Sequence, residues 1–227
     1  MAGANSFLEW RAYPFEAQQR TDRPYPRSLF AASPPDLSPR LPFEISLLLP
    51  IQKPSDPVPD NTENPANVAA ALFLANPLLH VATWARHLRK RGVGWVSNFP
   101  SVTQHDDSFQ DRLCDVDLGP AKERALLAEF RAAGLRTLVC VSHPRDAVAA
   151  VMDGCDALLV LPKTAEFELG FPSVRRRSAQ IADIRAAVPQ AGVAILGLLQ
   201  PAEAGFPSAQ PVGMDAAMVR PSKVSLS

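Results

Sequence analysis

The chain has no surplus charge of either sign: 23 Lys and Arg stand against 23 Asp and Glu. Nucleic acid and anionic membranes attract a basic surplus, so neither partner is expected. Cysteine is scarce. Cys114, Cys140 and Cys155 are odd in number and lack metal-ligand spacing, which fits a reducing compartment better than a disulfide scaffold. Long apolar runs are also missing. The longest, residues 191–199, falls far short of the roughly 20 residues of a membrane helix. Residues 1–15 show no basic region followed by an apolar run, so no signal peptide is expected. Together these absences predict a cytoplasmic protein. There is no Gly-x-Ser-x-Gly elbow, phosphate-loop lysine motif or zinc signature. Gly92-Val93-Gly94 precedes a strand and lacks a third glycine, whereas a dinucleotide turn follows a strand and opens a helix.

Proline is what the chain has in excess, with 23 residues where ordinary usage of about 5% would give about half that. About half of them precede Ala66. Residues 21–42 and 50–65 are rich in Pro, Asp, Asn and Ser. They predict extended segments, since proline removes a donor and clashes with the preceding helical turn. The division expected is an arm over 1–42, a barrel-like domain over 43–200, and a tail over 201–227 with a candidate last strand near 214–219. The arms would lie over the core or contact another subunit.

Between these arms the pattern alternates. Continuous apolar runs at 43–49, 68–74, 93–97, 135–141, 156–161 and 193–199 read as buried strands. Helices are predicted from Pro77 to about Arg91, over 121–133, from Ser142 as cap to Gly154, and near 174–188. In the first, Leu78, Val81, Ala82, Ala85 and Leu88 share one face, and Gly92 stops it. In the second, Ala125, Leu126 and Phe130 point inward, and Glu123, Arg124, Glu129 and Arg131 form solvated faces. Residues 98–119 read as a long acidic loop. Strands that are apolar throughout and separated by helices imply a parallel sheet covered by helices. The fold class expected is α/β, a parallel β/α barrel of TIM type, incomplete because fewer than eight units are visible.

In such folds the working groups stand after the strand C-termini. Those positions supply Gln52, Lys53, Asn76, Asn98, Ser101, His143, Arg145, Lys163, Gln200 and Arg220. Lys53, His143, Arg145 and Lys163 would bias one rim toward cations, which suits a carboxylate or phosphate ligand. The competing reading makes each a solvated loop residue. His105-Asp106-Asp107, with Asp106 foremost, is a candidate Mg²⁺ cluster, weighed against an exposed acidic loop. Arg175-Arg176-Arg177 falls in a first helical turn, where the dipole disfavours cations. It reads as a surface cluster or as an anion or subunit contact. His80, His87, Cys140 and Cys155 read as structural.

Asn98-Phe99-Pro100-Ser101-Val102, followed by Asp106, Phe109, Leu113 and Asp115, resembles the phosphoenolpyruvate hydrolase-like TIM-barrel family, which is similar to the phosphoenolpyruvate mutase and isocitrate lyase superfamily. The resemblance extends over residues 68–163 and includes the turn from Met152 to Ala157. Leu48-Leu49-Pro50 matches a further family element. It implies a barrel, a small phosphorylated or carboxylated substrate, lyase or hydrolase chemistry, and a homo-oligomer. In that reading Asn98, Ser101, Lys53 and Asn76 bind substrate, and His143 and Lys163 serve as acid/base or charge stabilisers. The chain departs from the family where polar rim groups are expected. Leu161-Pro162-Lys163-Thr164 replaces a histidine and a Gly/Thr-rich loop, and Leu198-Leu199-Gln200 replaces a His-Gly-Gly. Two readings follow: an enzyme on a phosphoenolpyruvate-like substrate, or a catalytically degenerate relative kept as a ligand-binding or partner subunit.

Overall fold

A computed structural model describes residues 6–14, 23–32, 56–168, 170–189, 191–221 and 225–226. Eight strands close into a ring: β1 (Ser6–Pro14), β2 (Ser28–Ala32), β3 (Val68–Ala71), β4 (Trp95–Ser97), β5 (Arg136–Val141), β6 (Ala157–Val160), β7 (Ala194–Leu199) and β8 (Ala216–Val219). β2 to β8 pair in parallel with their neighbours. β1 closes the ring antiparallel to both β2 and β8. A short β9 (Ser225–Leu226) pairs with the start of β1. The molecule is therefore an α/β protein built on a closed, mixed eight-stranded barrel.

Two expectations are corrected here. The barrel is complete rather than shortened, and it is not parallel throughout, because β1 is reversed. β1 and β2 lie within residues 1–42, read from the sequence as an arm, yet both are wall strands. Prolines 24 and 26 precede β2 without interrupting it, so no ladder donor is lost inside the strand. β8 likewise lies within the expected tail and fulfils its candidate strand. The predicted strand at 43–49 lies outside the described residues, as do 33–42 and 50–55.

The helices are α1 (Val81–Lys90), α2 (Asp107–Asp115), α3 (Pro120–Ala132), α4 (Pro144–Met152), α5 (Val174–Ala187) and the single turn α6 (Pro201–Ala204). The predicted loop 98–119 thus contains a helix. α2 escapes the periodicity argument because only Gln110 of its residues is buried. The fully buried face of α3 is Glu123, Leu127 and Phe130, while Leu126 packs partly buried against the same core and Ala125 is exposed. Gly92, Gly134 and Gly154 follow α1, α3 and α4 at φ 74°, 90° and 80°, a left-handed turn that glycine enters without steric cost.

Successive strand residues face opposite ways, which divides the core in two. Trp10, Leu29, Ala69, Trp95, Leu138, Leu159, Leu196 and Met218 come from every wall strand and form one buried cluster, the ring interior. Val68, Val96, Val139, Leu158 and Ile195 form the other, with Leu88 of α1, Phe130 of α3 and Ile181 of α5. Burial on both faces is why these strands read as continuous apolar runs. Inside the ring, bulky Trp10 and Trp95 stand among Ala69, Ala157, Ala194 and Ala216, a mixture of large and small that fills a narrow barrel.

The end of the ring opposite the strand C-termini is tied by two acids. Asp156 Oδ2, just before β6, accepts from Thr137 N (2.9 Å) and Thr137 Oγ1 (3.1 Å) of β5. Asp215 Oδ2, just before β8, accepts from Ile195 N of β7 (2.8 Å) and from Arg185 Nη2 (3.0 Å). These contacts hold neighbouring strands in register.

Candidate functional site

The loops after β4, β5 and β6 meet at the C-terminal rim in two layers. The inner layer is a buried polar knot. Asn98, one residue past β4, donates from Nδ2 to Glu123 Oε2 (2.8 Å) and Ser101 Oγ (3.0 Å). Its Oδ1 accepts from Cys140 N of β5 (2.8 Å). Ser101 Oγ donates to Glu123 Oε2 (2.7 Å), and Val102 N donates to Glu123 Oε1 (3.1 Å). Ser101 also caps the single turn Val102–Gln104. Glu123 is 1% exposed, and no cation among the described residues reaches it. Burial pushes its carboxyl up to about 7, against the hydrogen bonds from Ser101, Asn98 and Val102, and nearby Asp146 adds to the rise.

The outer layer is charged. Asp107, the first residue of α2, presents Oδ1 to Arg145 Nη2 of α4 (2.7 Å) and to Lys163 Nζ after β6 (3.2 Å). These hydrogen bonds and charges hold the Asp107 carboxyl below the usual range. Asp146, one residue beyond Arg145, is buried with Oδ2 unpartnered, and Ser142 Oγ is likewise buried without a partner among the described residues. Burial raises the Asp146 carboxyl, opposed by Arg145 and His143. His143 is the half-buried N-cap of α4.

Inside the ring, at the level of the rim, chemistry is sparse. The inward positions nearest the strand C-termini are Ala31, Ala71, Ser97, Cys140, Leu161, Leu198 and Met218, all buried. Ser97 Oγ and Cys140 Sγ stand 3.5 Å apart and satisfy each other. Phe99 closes over this layer, edge-on to Trp10 with ring centroids 4.9 Å apart. Where a barrel enzyme carries its reactive groups, the described residues pack mainly hydrocarbon around the Ser97–Cys140 pair.

The residues singled out in the sequence are therefore dispersed by role. Asn98 and Ser101 are spent on the knot. Asn76 Oδ1 accepts from Leu78 N (2.9 Å), a turn contact that starts the approach to α1. Asp106 is the N-cap of α2, accepting from Phe109 N (2.9 Å), so the acidic triplet is a helix start. Among the described residues no group of three His, Cys, Asp or Glu side chains is placed to hold a metal ion. Lys53 lies outside the described residues. His143, Arg145 and Lys163 do share the rim. Arg177 is buried, with Nη2 on Glu203, Nε on Pro172 O (2.9 Å) and Nη1 on Leu198 O (2.6 Å). It braces α5 against β7 rather than standing in a surface cluster.

Two residues escaped the sequence reading. Glu123 was assigned to a solvated face, yet it shares the spacing of Leu127 and Phe130, which marks the buried stripe of α3. Asp107 was grouped with a metal triplet, although an Asp pair before a polar helix is a start signal.

No protein-family model matches the chain, and no curated protein matches it. Among solved structures, a nitroalkane oxidase from Streptomyces ansochromogenes is similar at a TM-score of 0.31 and 18% identity, over 58% of this chain. This chain spans 42% of that protein's length. A likeness of that degree carries no argument about activity. No helix among the described residues is long and apolar enough to cross a membrane.

Proposed function

We propose that this chain is a barrel of TIM type, with one strand reversed, that binds a small carboxylate or phosphate at its rim without catalysing a reaction in its centre. It would be a degenerate relative of the phosphoenolpyruvate hydrolase-like family. One observation carries this reading. The inward rim positions are buried and mainly apolar, with Ser97 and Cys140 engaged with each other, while Arg145 and Lys163 converge on a single oxygen of Asp107 outside that plug. Two cations aimed at one carboxylate oxygen suit an anionic ligand. A cytoplasmic homo-oligomer belongs to the same proposal, and light scattering checks the assembly.

The test is incubation with phosphoenolpyruvate and Mg²⁺, followed by phosphorus NMR and thermal melting. The expected result is no turnover together with a raised melting temperature. Ligand at 100 times its dissociation constant adds about 2.7 kcal/mol of stability. A second reading, the enzyme, draws on the His143–Asp146 neighbourhood, since a buried acid raised beside a histidine is a pattern of acid/base sites. Turnover abolished by His143→Ala in a folded protein would favour it.

A further inference from the structure

The same three rim residues also bear on how the site is controlled. Asp107 opens α2, a helix that the sequence pattern does not call for and that buries only Gln110. Gln110 Nε2 holds the helix to His105 O (2.7 Å) and Thr103 O (3.3 Å). The charged tether of α2 among the described residues is Asp107, on Arg145 and Lys163. Asp107 and Arg145 are each 61% exposed at the side chain, whereas Lys163 is 20% exposed. Exposed ion pairs of this kind are weak and exchange readily. The Asp107 carboxylate thus occupies the place on Arg145 and Lys163 that a ligand carboxylate or phosphate would take.

We propose that α2 is a latch whose Asp107 is an internal stand-in for the ligand, so that a small carboxylate or phosphate binds by displacing Asp107 and releasing α2. This rests on the rim-binding reading above. No covalent step is involved. The ligand exchanges one set of charge-assisted hydrogen bonds for another, while Gln110 and the Asp106 cap still tie the helix to the loop before it. Apparent affinity is then reduced by the fraction of time that the latch is shut.

The experiment is calorimetric titration of the full chain with inorganic phosphate and with malonate, at matched ionic strength. It compares wild type, Asp107→Asn and Asp111→Asn. Asp111 is an exposed acid on the same helix, so its variant removes an equal charge without touching the cation pair. Asp107→Asn is expected to bind about two- to fivefold more tightly than either other protein. Equal affinity in the two variants overturns the latch alone. Absence of binding in all three overturns both the latch and the reading on which it rests. A second readout is amide hydrogen exchange across residues 108–114. Saturating phosphate is expected to speed exchange in the wild type, and slower or unchanged exchange overturns the latch. Phosphate and malonate titrations together show whether the site prefers one chemistry or accepts both.

Discussion

Ser101 donates a 2.7 Å hydrogen bond to Glu123, and neither side chain is more than 1% exposed. This contact joins the loop after β4 to the first turn of α3, beneath the surface at which a ligand would arrive. It explains why two polar residues suited to substrate binding serve instead as internal fastenings. A buried carboxyl with three neutral donors and no counter-ion among the described residues is also a titrating group inside the fold.

That group has a signed pH dependence. The Glu123 carboxyl titrates at about 7 in the folded chain, against 4.5 for an unperturbed glutamate. Between those values the folded state binds more protons than the unfolded state. Stability from this group is therefore fully present below about 4.5 and is lost as pH rises through about 7. The full swing is on the order of 3 kcal/mol. His105, lowered by burial, and Asp107, lowered by its cations, act in the opposite sense. The difference between wild type and Glu123→Gln in urea midpoints from pH 4 to pH 8 isolates the Glu123 contribution. The wild type is expected to lose ground relative to the variant as pH rises, and a constant difference would contradict this.

Asn98→Ala removes the acceptor for Cys140 N and a donor to Glu123. Leaving buried groups unpaired costs about 1–3 kcal/mol each, so a loss of about 2–4 kcal/mol in urea denaturation is expected. Phosphate affinity of the folded variant should equal that of the wild type. Weaker binding by a fully folded Asn98→Ala protein would return Asn98 to the ligand site.

Phe99→Ala tests the filled interior. Phe99 is buried against Trp10, and removing a large core ring costs about 3–5 kcal/mol. Phe99→Leu keeps most of the volume and should cost much less. Similar midpoints for Phe99→Ala and the wild type would mean that the barrel mouth is not packed.

Gly94 is a position at which a methyl group does not fit. A Cβ there would stand 2.1 Å from Ala66 O, a backbone atom. Gly94→Ala should therefore shift the start of β4 or the turn before β3 and lower the melting temperature by several degrees. Gly192, with none of the described residues within 4 Å of its Cβ position, is the control, and its alanine variant should melt near the wild type.

The five described strands between α/β connections were legible because both of their faces are buried. Residues 68–71, 95–97, 136–141, 157–160 and 194–199 are apolar almost throughout, so their length and glycine stops were enough. β1 was not legible. Its buried Leu8 and Trp10 alternate with Glu9 and Arg11, which hydrogen-bond to each other at 3.0 Å on its outer side. Its partner β8 is also distant in sequence. β2 was obscured by flanking prolines, and α2 by the lack of an apolar stripe. At the site, Arg145 and Lys163 followed from position after a parallel strand. The fate of Asn98 and Ser101 did not, because it depends on Glu123 arriving from a helix 22 residues beyond Ser101.

In the proposed reading an anion is held by Arg145 and Lys163 at the rim, outside the packed barrel interior. The most direct measurement is calorimetric titration of phosphoenolpyruvate into wild type, Lys163→Ala and Arg145→Ala. The pairs with Asp107 are partly exposed, so each substitution should change stability by less than about 1 kcal/mol. Each should weaken phosphoenolpyruvate at least about tenfold, the loss of roughly 1.4 kcal/mol. Wild-type affinity in both folded variants, or no heat of binding in the wild type, would contradict the account.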